Sequence, residues 1–332
     1  MRCVTRGGAA VVAATLAAGS WTVPAEAQEA QETPLAPQLA YAYGENETAR
    51  SLAMGGAVRA LGNGTTGIYA NPANMALSRV YRIEAFGQLT PEATRALGGA
   101  TIVDSITSST RISGGLSALG GVVDPSGLDR TQIDVRAAVA YPIGDRVFIG
   151  LGGRYLRMTQ GGKGPLGESK ISGGLNDAAI VDDFTFDAGV TVRVTEKLHI
   201  GLVGQNLTHP GHSLLPTTFG GGIGYGSKDF SLEGDVIADF DAWGRTTVRA
   251  MAGGEYLAGD HYPLRVGYRF DEGPSVHMLS AGVGYVGKEF AIELSTRRTL
   301  SSSVNATMFV LSLTYHLEQR LLSKGQVAAE AE

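Results

Sequence analysis

The sequence predicts an all-β chain: a transmembrane antiparallel β-barrel of about fourteen strands with a small N-terminal plug. Three observations carry this. Apolar and polar residues alternate with a period of two in segment after segment between Val80 and Leu317. The connections between these segments are alternately short and long. The N-terminus reads as an export leader, and no run of about eighteen apolar residues follows it, so the exported chain lacks a helical membrane span.

Composition bounds the alternatives. With 332 residues the chain is long enough for one large domain or two ordinary ones. Glycine contributes 47 residues without a Gly-X-Y period, charged residues only 18%, and proline 12. That describes a glycine-rich β protein, neither collagenous nor disordered. A net charge of -5 argues against a nucleic-acid partner. The single cysteine, Cys3, precedes the leader's apolar core, so it is no lipidation site, and its removal leaves no thiol for disulfide or thiolate chemistry.

Taken in order, residues 1–27 read as a signal peptide. Arg2 and Arg6 form its charged end, Gly8 to Ala18 its short apolar core, and Ala25-Glu26-Ala27 a small-x-small cleavage site before Gln28. Residues 28–79 form a periplasmic linker and a compact segment rich in glycine, alanine and asparagine. Within it Ser51 to Leu61 can form a helical turn or two. Physics alone leaves this segment as a plug inside the barrel or a mobile periplasmic leader.

The barrel occupies residues 80–317, with strands expected near 80–89, 95–106, 111–121, 131–141, 146–158, 182–194 and 198–208, then 217–226, 230–239, 245–257, 263–271, 275–286, 289–298 and 306–317. Connections such as Thr195-Glu196-Lys197 and Gly287-Lys288 are short, whereas 122–130, 159–181, 209–215 and 299–305 are long. Turns on one rim and loops on the other match bacterial outer-membrane barrels, whose long loops face outward from the cell. Gly220-Gly221-Gly222 is a candidate kink or wall opening.

One face of the strands is apolar. Tyr141, Tyr155, Tyr225, Tyr256, Tyr285 and Tyr315 fall at strand ends, as an interfacial girdle or as the ordinary strand preference of tyrosine. The last strand resembles a C-terminal assembly signal, although a polar tail, residues 318–332, continues past it. The other face carries both charges. Arg136, Arg154, Arg193, Arg249, Arg265 and Arg269, with Arg82 and Arg297, oppose Asp187, Glu233, Asp235 and Glu293, with Glu84, Asp134, Asp183, Asp239, Glu255 and Glu289. Buried charge on this scale requires water or internal pairing, and the near balance of sign favours pairing over an ion-selective ring.

Catalytic sets are weak. His209 and His212 share one loop, but no carboxylate or cysteine completes a metal set, and no metal or cofactor is expected. Glu233 and Asp235 share a face, where pairing with arginine is the plain role and acid-base catalysis the sharp one. The sequence from Gly161, GGKGPLGESK, lacks phosphate-loop spacing, and no G-x-S-x-G occurs. An enzyme is the least expected reading. His209, His212, Leu214 and Leu215 mix imidazole with leucine in the loop HPGHSLL. They are candidates for the place where an apolar ligand enters, the alternative being loop packing on the rim.

The residues before the first strand carry a resemblance. Ala49, Arg50, Met54, Gly55, Gly56 and Ala57, followed by Tyr69, Asn71, Pro72 and Ala73, are similar to the N-terminal signature of the FadL-type outer-membrane proteins and their PorV/PorQ-like relatives. The resemblance implies that Met54, Gly55, Gly56, Asn71, Pro72 and Ala73 belong to a plug, with Asn71 to Ala73 held against the first strands. It also implies passive uptake of hydrophobic molecules such as long-chain fatty acids, leaving through the wall. The PorV-like alternative is a barrel that holds exported proteins at the cell surface without moving solute. A purely structural barrel is a third. The expected partners are outer-membrane lipid, the assembly machinery, and either a hydrophobic small molecule or an exported protein.

Overall fold

The computed structural model describes residues 46–123, 130–160, 163–164, 167–168, 178–211, 213–300 and 306–318. The leader, its cleavage site and the linker before residue 46 lie outside them, as do His212 and the tail after residue 318.

Fourteen antiparallel strands close into one barrel. They are β1 (Val80–Thr90), β2 (Arg95–Asp104), β3 (Ser113–Val123), β4 (Arg130–Ile143), β5 (Val147–Gln160), β6 (Ala178–Arg193) and β7 (Leu198–Gln205), then β8 (Thr218–Gly226), β9 (Phe230–Asp239), β10 (Thr247–Ala258), β11 (Tyr262–Asp271), β12 (Val276–Val286), β13 (Phe290–Thr299) and β14 (Thr307–Glu318). Each strand pairs with its sequence neighbour, and β1 closes on β14 from Val80↔Glu318 to Leu89↔Phe309. Closure leaves no sheet edge, which a wall in lipid requires.

Period-two burial runs along the wall. In β9, Leu232, Gly234 and Val236 face out while Ser231, Glu233, Asp235, Ile237 and Asp239 are buried. The outer face is a band of exposed Val, Ile, Leu, Phe and Tyr side chains. Tyr141, Tyr225, Tyr256, Tyr285 and Tyr315 all sit at the short-turn ends of their strands, while Tyr155 lies in the opposite half of β5. At that rim Tyr262 and Phe290 flank Tyr285 at 5.7 and 5.6 Å.

Gly220 to Gly222 do not open the wall: β8 keeps its register with both β7 and β9 through all three. Among the described strand pairs the register shifts once, between Met158 and Thr159 where β5 meets β6. The short-turn rim also has one longer connection, between β2 and β3. It wraps the join between plug and barrel, where the Ser105 hydroxyl donates to the Ser78 carbonyl (2.7 Å) and the Arg79 guanidinium to that of Ile106 (2.9 Å).

Residues 46–79 fill the lumen. They form α1 (Ala49–Ala53), α2 (Gly67–Ala70) and 3-10 turns at Gly64–Thr66 and Pro72–Ala76. Thr48 caps α1, its hydroxyl accepting the Ser51 amide at 3.2 Å. Asn71 caps the last turn by accepting the Ala73 amide at 3.2 Å, and Pro72 occupies the first position, where its missing N–H costs nothing. The wall is glycine-rich on its inner face because this backbone lies directly on it. A methyl at Gly253 would strike the Met54 carbonyl, one at Gly267 the Gly55 amide, one at Gly201 the Arg59 carbonyl, and one at Gly150 the Ala73 amide. Within the plug, Gly55 (φ +69°) adds a left-handed turn whose methyl would lie 2.7 Å from the Tyr268 carbonyl.

Gly267→Val is therefore expected to prevent the plug from seating. Limited proteolysis should cut within residues 46–79 of the variant and spare the wild type. Gly87→Ala, where the new methyl meets nothing nearer than 3.9 Å, should behave as wild type.

Candidate functional site: the plugged lumen

The plug is tied to the wall mainly by carboxylates. Asp235 on β9 accepts the amides of Val58 (2.9 Å) and Arg59 (3.0 Å), and Glu233 accepts those of Ala60 (2.5 Å) and Leu61 (3.1 Å). Two side chains on one strand face thus satisfy four consecutive amides that no helix or sheet serves. The Arg59 guanidinium returns to Asp235 at 3.2 Å, both side chains being buried. The pairing with arginine expected for both acids holds for Asp235, whereas Glu233 takes plug amides.

Further links run round the lumen. Glu47 forms a bidentate pair with Arg297 of β13 (2.5 and 2.8 Å). Arg50 reaches Glu255 of β10 at 3.3 Å; Glu255 also binds Arg265 of β11, which in turn meets Glu293 of β13 at 2.5 Å. Asp134 of β4 takes Arg136 at 3.0 Å and Arg154 at 2.6 Å. Arg136 lies 5.0 Å over the ring of Tyr69, whose hydroxyl meets Thr101 and Ser117; burial pushes that phenol up to about 12, so it stays neutral at any working pH. Arg249 pairs with Asp239 at 3.0 Å and Arg269 with Asp271 at 3.8 Å. Balanced charge is thus cross-linked rather than arranged as a ring of one sign.

Several sequence expectations are corrected. Among the described residues Arg193 meets no acid; it donates to the carbonyls of Leu77 (3.2 Å) and Asp145 (3.4 Å) and stacks on Phe148 at the short-turn rim. Glu289 is exposed in a turn, because β13 begins one residue later. Asn71, Pro72 and Ala73 dock on β4, β5 and β6 instead of the first strands: Asn71 donates to Thr191 (3.0 Å), and Gly150 and Gly189 leave room for the turn. Leu215 is not held at an exposed tip. It is fully buried with Leu156, Met158 and Val181, and Leu214 packs against the same cluster, since burial of a leucine is worth about 1.5–3 kcal/mol. His209 stays exposed, 2.9 Å from the Thr217 hydroxyl and 3.4 Å from Asp241, and His212 lies outside the described residues. Among the described residues no group of three or more His, Cys, Asp or Glu could hold a metal.

Two plug residues that the sequence did not single out, Glu47 and Arg59, carry its ion pairs together with Arg50 of the signature. A charged residue within a small-residue stretch was the available signal.

Two polar spaces flank the plug. One, of about 60 Å³, lies toward the long-loop rim between Asn46, Arg136, Arg154, Asp187, Arg249 and Arg269. The other, of about 390 Å³, opens at the short-turn rim beside Arg82, Glu84, Lys228 and His316. The outer wall carries two adjoining apolar troughs of about 710 and 720 Å³ over β2 to β8, sharing Val139, Leu151 and Ala188. Asp187 borders both the inner 60 Å³ space and the first trough. There the wall is thin, since Asp187 pairs with Gly152 and Phe186 with Gly153 across β5 and β6.

Solved structures share this architecture. The monoaromatic hydrocarbon channel CymD superposes with a TM-score of 0.61 at 14% identity, covering 82% of this chain and 97% of its own. The Ralstonia pickettii toluene transporter TbuX gives 0.59 at 14% (82% and 98%), and a Pseudomonas aeruginosa FadL homologue 0.58 at 13% (82% and 98%). The fold is that of the FadL-type barrels. No protein-family profile and no curated protein matches the sequence. In this barrel the glycines of the signature mark where plug backbone meets wall, and its asparagine and proline build the turn on β4 to β6.

Arg59→Ala leaves Asp235 buried without its guanidinium. Such a change is expected to cost about 3–5 kcal/mol, read as a lower urea midpoint for the folded barrel. Exposed Arg111→Ala, at a pair with Asp145 on the rim, should shift it by less than about 1 kcal/mol.

Proposed function

We propose that this chain is a passive channel for hydrophobic small molecules in the outer membrane of a Gram-negative bacterium, reached after signal-peptide cleavage and inserted by the outer-membrane assembly machinery. The observation that carries the reading is the arrangement on β5 and β6. The apolar cluster of Leu156, Met158 and Val181 stands at their long-loop ends, the Gly152–Asp187 and Gly153–Phe186 pairs lie further down, and the apolar trough lies outside. An apolar molecule received at the cluster would leave sideways into lipid along the edge of the charged space, past Arg154 and Asp187, without crossing the plug. Apolar solutes lose by passing through water, so a wall exit suits them. The Arg154–Asp134 pair stands between cluster and thin wall and would act as the gate. The register shift at Met158 lies at the start of the same route, as bulges often do beside functional sites. The kinship in fold to channels named for toluene and monoaromatic hydrocarbons supports the cargo class. Monoaromatic hydrocarbons and long-chain fatty acids are the two cargoes to compare.

A second reading, a PorV-like barrel that docks exported proteins, draws on one observation: both spaces flanking the plug are lined by charged side chains. Both readings are tested in cells that lack other channels of this fold. Expression of the chain should raise uptake of labelled toluene or oleate, and Ala188→Trp, which fills the outer trough, should lower that uptake about tenfold while the barrel still folds. Unchanged uptake on expression, with an exported protein recovered in equal amount on purification, would replace transport by docking.

A further inference from the structure

The connection 206–217 behaves as a strap. Residues 207–209 and 211 are exposed, and the connection then dips inward at Leu215, which is 0% exposed and packs on Leu156, Met158 and Val181. Its two ends are pinned by polar contacts. The Asn206 amide donates to Asp187 (2.8 Å), the Asn206 side chain to the Pro216 carbonyl (2.8 Å), and the Thr217 amide to Asp241 (2.7 Å). Between the pins the backbone is held in the left-handed region at Asn206 (φ 54°) and His209 (φ 53°), conformations that non-glycine residues adopt at a cost. A strained strap is thus held down by hydrogen bonds at its ends and one leucine at its centre.

We propose that Leu215 is a resident stand-in for the cargo. It occupies the apolar cluster at the mouth of the channel and must be displaced before a hydrocarbon can bind. This rests on the proposed transport function and adds to it the regulation of the receiving site. The cluster that receives Leu215 is built of apolar side chains, with Leu156 standing in register between Asp134 and Asp183, and its methionine is unbranched and adaptable, so it suits a saturated or monoaromatic hydrocarbon group of about leucine size. The strap makes occupancy competitive. Cargo binds only the fraction of molecules whose leucine has withdrawn, so the apparent affinity is lowered by that fraction. Release of the backbone at Asn206 and His209 lowers the cost of withdrawal. The Asn206–Asp187 bond also ties the strap to the carboxylate that borders the thin wall, so opening the strap frees Asp187 of that bond.

The test uses the purified full chain in lipid nanodiscs and radiolabelled toluene, with empty nanodiscs subtracted. Leu215→Gly removes the stand-in. Asn206→Ala keeps the leucine but removes the bond to Pro216 and disfavours the left-handed backbone. Both are expected to bind toluene at least about tenfold more tightly than wild type, with heat-dependent gel migration showing that each barrel is folded. A purely structural Leu215 would instead lower stability without any gain in affinity. Saturable binding by wild type with no gain in either folded variant overturns the strap proposal alone. Absence of saturable binding in all three overturns it together with the transport reading.

Discussion

The structure depends on one constraint: polar backbone inside a closed wall must find partners that neither helix nor sheet supplies. Residues 58–61 of the plug present four amides in a row, and Glu233 and Asp235 receive all four from a single strand. Removal of either carboxylate leaves amides unsatisfied, and removal of Asp235 also takes away its ion pair with Arg59. The rest of the plug follows from this anchorage. α1 is carried to β13, where Arg297 binds Glu47, and the asparagine-capped turn is carried to β4–β6. The wall carries glycine at Gly150, Gly201, Gly253 and Gly267, where this backbone lies against it.

The lumen has two kinds of wall. Toward β9–β13 it is ionic, with Arg249, Arg265, Arg269 and Arg297 each facing an acid. At the long-loop end of β5 and β6 it is aliphatic, with Leu156, Met158 and Val181. The outer troughs lie over β2–β8, on the aliphatic side of the barrel. The thin glycine pairs and the register shift fall together on β5 and β6, and both outer troughs extend over these two strands.

Much of this was legible in the sequence. Period-two alternation located all fourteen strands, because one face must meet lipid and the other a polar interior. The signature glycines and Asn71-Pro72-Ala73 pointed to a plug. Alternation put Arg193 on the inner face, but its carbonyl partners Leu77 and Asp145 were not legible, and Glu289 falls in a turn, where alternation stops. The docking partners of the plug were not legible. Asn71 reaches Thr191, and Arg59 reaches Asp235, across more than a hundred residues, a separation that no local pattern encodes. Whether the leucines of HPGHSLL meet a ligand or pack on the rim was left open by the loop sequence. Only the tertiary fold supplies the aliphatic cluster into which Leu215 turns.

The central claim is that cargo crosses the wall while the plug stays seated. The most direct measurement is uptake of labelled toluene by a variant whose plug is locked to β6 by a disulfide, Asn74→Cys with Thr191→Cys, a pair now joined by a 2.6 Å hydrogen bond. The account predicts equal uptake in the oxidised and reduced forms. Uptake abolished by oxidation and restored by reduction would show that the plug itself must move, and would contradict the route through β5 and β6.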